Sequence, residues 1–233
     1  MIKIDMHVHS KYSEHPSDWF LQRLGAKESY TEPEHLYRTA KQRGMDYVTI
    51  TDHNRIDGAL LLKEKYPQDV LIGLEATTYF PENGCKIHVL IYDITKEQYE
   101  IIQQKRKNIY ELRDYIKEND LAYSVAHATF SINNKLTVDL LEKLILLFDV
   151  FEGINGGRNY LFNTKWMELM KRLTPAHIEK LYAKHHIEPI SDDPWLKSFT
   201  GGSDDHAGLF IGQTYTETDA DSLKEVIDNL KNK

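Results

Sequence analysis

Short apolar runs alternate with capped helical segments along this chain, and no other feature restricts its fold as much. Runs at residues 2–8, 46–51, 70–76, 86–92, 122–127 and 149–154, with weaker ones at 199–203 and 211–216, have the length of strands. Between them lie helices with clear punctuation. Thr31-Glu32-Pro33-Glu34 reads as a capping box before Leu36, Tyr37 and Ala40, with Gly44 as the stop. Asp57 opens a segment that Pro67 closes. Thr95 and Gln98 form a second capping box, ahead of one helical register through Ile102, Lys105, Ile109, Leu112 and Ile116. Thr137, Thr174-Pro175 and Asp221 open three more helices. Strands alternating with helices predict βα units and a mostly parallel sheet. Seven or eight such units in 233 residues suit a closed or nearly closed barrel. The chain reads as one barrel domain over residues 1–233, with a helical excursion at about 156–187 that lacks a strand.

Charge and cysteine content narrow the function classes. The net charge is −7, which argues against holding a long nucleic acid, since that needs a basic stripe. A small phosphorylated substrate is compatible, because bound divalent cations reverse the local sign. Cys85 is the one cysteine, so no internal disulfide forms, as expected in a reducing compartment. Lys3 and Asp5 interrupt the first apolar run, so it does not read as a signal peptide, and no stretch is long enough to span a membrane. A cytoplasmic protein without membrane partners is expected; the oligomeric state is not legible.

The ends of the expected strands carry metal-binding side chains one after another. His7 and His9 flank Val8, and alternate residues of a strand share a face. Thr51-Asp52-His53 ends the second run, Glu75 the third, His127 the fifth and Asn155 the sixth, while His88 lies in the fourth. Ser203-Asp204-Asp205-His206 follows a late run. βα barrels build their active sites at this face. Imidazole and carboxylate ligands together suit Zn, Mn or Fe. Singly, each position has a plainer reading: His53 fits a turn cap, His88 and His127 fit hydrogen-bonded core histidines, and Asp204 fits a Gly-Asp loop. Glu75 is the exception, because a carboxylate inside an apolar strand needs a cation. His35, His177, His185 and His186 lie on helices and are not read as ligands.

His7-x-His9, Thr51-Asp52-His53, Glu75 with His88, His127 and Gly202-Ser203-Asp204-Asp205-His206 resemble, in order, the motifs of the PHP (polymerase and histidinol phosphatase) family. The resemblance implies a distorted (β/α)7 TIM-like barrel whose two or three divalent cations hydrolyse phosphate esters by a metal-activated hydroxide. It also implies that His7, His9, Glu75 and Asp204 hold one cation, and that Glu75 bridges to a second held by His88 and His127. A third would fall to His53 and His206, with Glu14 or His15 beside them. Arg158 is a candidate phosphate clamp or a solvated helix-start arginine, and Asp205 a base or a partner that orients a ligand histidine. Asp52 reads as structural. The expected substrate is a small phosphomonoester or nucleotide. Two rival readings remain: C–N or C–O hydrolysis of the amidohydrolase kind, and a non-catalytic metal-binding accessory module. Amidohydrolases also use a His-x-His strand but typically bridge their metals with a modified lysine.

Overall fold

A computed structural model describes residues 1–13, 23 and 26–232. Its described strands are β1 (Ile2–Ile4), β2 (Val48–Ile50), β3 (Val70–Phe80), β4 (Cys85–Tyr92), β5 (Ala122–Val125), β6 (Val150–Asn155), β7 (Ser198–Gly202) and β8 (Thr216–Thr218). Its described helices are α1 (Pro33–Gln42), α2 (Asp57–Lys65), α3 (Lys96–Lys105), α4 (Ile109–Glu118), α5 (Val138–Leu147), α6 (Tyr160–Met170), α7 (Pro175–His185) and α8 (Leu223–Asn232). This is a mixed α/β fold built on a curled six-stranded sheet ordered β2-β3-β4-β5-β6-β7, with β1 and β8 in a separate antiparallel pair.

Several local expectations hold. Thr95 and Gln98 form a reciprocal capping box, and Thr137 and Thr174 each accept a backbone N–H at the start of their helices. Others are corrected. Thr31 does not cap α1; Glu32 stands at the cap position without a side-chain bond, and Pro33 supplies the favourable first-turn φ. The register from Ile102 to Ile116 is split, because Asn108 leaves the helix and caps a new one. The last helix starts at Leu223, where Ser222 rather than Asp221 accepts an N–H, from Glu225.

The mostly parallel sheet is found in part, as a mixed sheet with three parallel pairs of five. β3 and β4, and β4 and β5, pair antiparallel; the other three neighbouring pairs are parallel. Only Pro81-Glu82-Asn83-Gly84 joins β3 to β4, too few residues for a crossover helix, and Gly84 takes the left-handed φ of +69° that closes the hairpin.

Nor is a seven-stranded barrel formed as one continuous ladder. β1 stops at Ile4, because the Asp5 carboxylate accepts the N–H groups of His7, Ser203 and Gly212 and draws the chain out of strand geometry. Residues 6–9 nevertheless run between the two edges of the sheet. Met6 and His9 donate N–H to Gly201 and Asp205, His7 accepts from Asp204, and Val8 accepts from Thr51 at the end of β2. The first segment of the chain is thereby stitched to both outer strands.

The core lies between the sheet and its helices. Leu74, Leu90, Val125, Leu146 and Phe151 form its main body, and Val8, Leu36, Ile50, Leu62 and Ile211 a second cluster. Each fully buried side chain of this size contributes about 1.5–3 kcal/mol. The Lys197 side chain is fully buried: its Nζ donates to the carbonyls of Ile145 and Phe148 and to Asp149 at 2.6–2.7 Å, tying the start of β7 to the end of α5. Among the described residues, no helix is long and apolar enough to cross a membrane.

Candidate metal centre

One carboxylate is surrounded by five imidazoles. Glu75 lies on β3, fully buried, and its oxygens sit 2.8 Å from His53 Nδ1 and His88 Nδ1. His9 Nε2 is at 3.2 Å, and His7 Nε2 and His127 Nε2 are at 3.3 Å. The sheet explains this convergence. The β3–β4 register sets Thr77 opposite His88, so Glu75, two residues before Thr77, shares its face with His88. A parallel bridge pairs His53 with Glu75 just past the end of β2. The stitched segment delivers His7 and His9 from one side and Asp204 from the other, with Asp204 Oδ1 at 3.4 Å from His7 Nε2 and 3.5 Å from His9 Nε2. His127 and Asp204 take left-handed backbones, φ +29° and +52°, an uncommon conformation for such residues held here by the surrounding ties.

The histidines of the cluster are oriented from behind. His7 Nδ1 donates to Glu152 Oε1 at 2.9 Å, because a carboxylate can only accept. The other Glu152 oxygen accepts the His127 N–H at 2.8 Å and the Asn155 amide at 2.7 Å. Ser13 Oγ donates to Asp52 and accepts from His9 Nδ1 at 2.9 Å and from the His53 N–H at 3.1 Å. Asp52 also accepts from the Ser10 N–H and hydroxyl at 2.6 Å, so it holds the loop together. With Nδ1 directed to Glu152 and to Ser13, the Nε2 atoms of His7 and His9 approach to 3.1 Å, and the surrounding Glu75 and Asp204 carboxylates hold both rings protonated above the ordinary imidazole range despite their burial.

The donor set fits divalent metal. Glu75 Oε1 and Oε2, His53 Nδ1 and His88 Nδ1 are buried yet hydrogen-bonded to nothing, despite separations of 2.8 Å. They are close but not aimed as donor to acceptor, as expected of atoms that share an ion rather than a proton. Buried potential ligands gather in overlapping groups: His7 with His9 and Glu75, His7 with His127 and Asp204, His53 with Glu75 and His88, and, partly exposed, His9 with His53 and His206. Imidazole and carboxylate in this mixture suit Zn, Mn or Fe.

Charge follows the same geometry. Burial opposes ionisation of Glu75, but His53, His88 and His7 outweigh it and hold its carboxyl well below the usual range. Burial opposes a proton on His53, yet Glu75 and Glu28 push its pKa up to about 10. His88 goes the other way, to about 4, because burial dominates the attraction of Glu75. His206 also falls to about 4, from burial and the neighbouring His9.

The remaining expected site residues divide. His206 stacks on His9 at 4.0 Å between centroids, with its Nδ1 donating to the Asp204 carbonyl. Arg158 lies at the rim, Nη2 3.3 Å from Asp204 Oδ2 and its guanidinium 4.1 Å over the Phe130 ring. Asp205 is turned to structural use: its two oxygens accept the N–H groups of Gly208, Leu209 and Phe210 and shape the loop after His206. Glu14 and His15 lie outside the described residues. Two site residues escaped the sequence reading. Glu152 carried the same signal as Glu75, a carboxylate inside an apolar strand. Glu28, whose Oε1 is 3.4 Å from His53 Nε2, sits in a loop and carried none. A surface group of Asp139, Glu142 and His185 also comes together, but Lys184 Nζ, 2.6 Å from both carboxylates, already supplies the positive charge.

No family model matches the chain. An uncharacterized protein of Methanocaldococcus jannaschii is 36% identical over 80 residues, a match that takes in 33% of this chain and only 45% of that protein. Among solved structures, an amidohydrolase from Chromobacterium violaceum aligns with a TM-score of 0.58 at 13% identity, over 97% of this chain and 96% of that one. A candidate metal-dependent phosphoesterase from Bifidobacterium adolescentis aligns with a TM-score of 0.51 at 16% identity, over 87% of each chain. At these identities the likeness is one of fold.

Proposed function

We propose that the chain is a metal-dependent hydrolase of the PHP type, acting on small phosphomonoesters or nucleotides with two or three divalent cations of Mn, Fe or Zn. The observation that carries this reading is the buried Glu75 carboxylate among five histidines, with both oxygens lacking hydrogen bonds. His7, His9 and Asp204 would complete one cation position around it, and His88 and His127 a second. Cations held there would supply Lewis acidity, activating water at neutral pH and drawing charge from phosphoryl oxygens. Glu152 fixes His7 and His127, and Ser13 fixes His9, so the donors need no reorganisation. Arg158 offers a cationic fork at the rim of a cavity of about 380 Å³ lined by His127, Phe130, Phe162 and Asn163. A phosphate at the metals could reach that fork, with its ester group toward Phe130 and Phe162.

The amidohydrolase reading shares the metal chemistry. Two observations favour phosphate. The described donor cluster contains Glu75 at its centre and no lysine. Arg158 beside the cluster offers a planar cationic fork of the kind that pairs with phosphate oxygens. A non-catalytic module is disfavoured by a donor set this complete.

Metal analysis combined with a substrate panel tests the proposal. The purified protein should carry two or three Mn, Fe or Zn per chain. It should release phosphate from small phosphomonoesters, losing activity on chelation and regaining it with Mn. Turnover of amides or lactones alone would favour the amidohydrolase reading. Neither bound metal nor stimulation by Mn would sink both.

A further inference from the structure

We propose that Glu28 supplies the carboxylate of a third cation position, the one formed by His53 and His206 at the open edge of the centre. The proposal rests on the multinuclear reading above. Glu28 Oε1 lies 3.4 Å from His53 Nε2 and 3.9 Å from His206 Nε2, on the side of His53 away from Glu75. His9, His53 and His206 place ring nitrogens within 4.8 Å of one another there. His53 and His206, neutral when they coordinate, bring no charge to balance a divalent ion, while Glu75 and His9 serve the deeper positions. Among the described residues, Glu28 is the carboxylate that brings negative charge to this pair from the side away from Glu75.

The position of Glu28 is built rather than incidental. Its neighbour Ser29 is buried and donates its hydroxyl to the His9 carbonyl at 3.3 Å. Two residues on, the Thr31 N–H donates back to Ser29 Oγ, and the Thr31 carbonyl accepts the Lys11 N–H at 2.8 Å. The loop carrying Glu28 is thus pinned to the same segment that carries His7 and His9. Side-chain exposure of Glu28 is only 16%, low for a carboxylate with no lysine or arginine contact described.

Cation content per chain, measured by equilibrium dialysis against Mn and elemental analysis, tests this without reference to turnover. Wild type should bind three equivalents. Glu28→Gln, which keeps the shape and removes the charge, should bind two, or hold the third at least about tenfold more weakly. Glu28→Asp should retain the third in part. The two retained equivalents, with an unchanged circular dichroism spectrum, show that the variant is folded. Equal stoichiometry and affinity in wild type and Glu28→Gln would overturn the assignment of Glu28. So would a wild type that saturates at two, although the dinuclear proposal would then stand. No cation bound by the wild type would remove both.

Discussion

At the scale of single residues, the site works by fixing which nitrogen of each histidine faces inward. Glu152 does this for His7 and, through the backbone, for His127. Replacing it by Gln exchanges a proton acceptor for an amide and should weaken Mn affinity by about 10–100-fold, read by calorimetric titration, while the fold survives. Protons compete for the same nitrogens. In the cation-free chain, Glu75 and Glu28 keep His53 protonated up to about pH 10, so a metal must displace that proton. Affinity should therefore rise with pH across the neutral range, and titration in two buffers of different ionisation enthalpy should show net proton release at pH 7. Affinity independent of pH would contradict the assigned role of His53. The residues legible in the sequence were those whose chemistry clashed with their surroundings, Glu75 above all. Glu28 was illegible because a glutamate in a polar loop looks ordinary until the loop is pinned in place.

At the scale of elements, close backbone approach is what seats the ligands. Gly202 ends β7 where a Cβ would fall 2.4 Å from His7 Cβ and 2.6 Å from its backbone nitrogen. Backbone cannot retreat as a flexible side chain would, so Gly202→Ala should cost about 1–3 kcal/mol in chemical denaturation and displace His7 enough to weaken metal binding. Lys197 tests a different joint. Lys197→Met would remove the ammonium from the buried Asp149 and from two helix-end carbonyls and should cost about 3 kcal/mol, with the metal centre intact once folded. Helix starts such as Thr95, Thr137 and Thr174 were readable because a cap is a local bargain between one side chain and one turn. The expectation of mostly parallel pairing does not extend to β3–β4, because Pro81-Glu82-Asn83-Gly84 leaves no room for a crossover. The end of β1 was not readable at all, since Asp5 bends the chain through partners 198 and 207 residues away, Ser203 and Gly212.

At the scale of the whole molecule, the centre concentrates buried carboxylate charge among histidines that would exchange their protons for a bound cation. Chelation should lower the melting temperature and added Mn should raise it in proportion to the logarithm of free metal, as for any ligand of the native state alone. A melting curve indifferent to both would mean the donors are satisfied without metal. The centre also joins distant parts of the sequence, with His7 and His9 meeting Asp204 and His206 across the stitched segment. Ribosomes add about 5–20 residues per second, so roughly 10–40 s separate the emergence of the first pair from that of the second. The nascent chain meanwhile carries an exposed His-Val-His hook able to grasp a metal only loosely. The cluster closes only when the final strands arrive, so any preference among cations would belong to the finished fold rather than to its first segment.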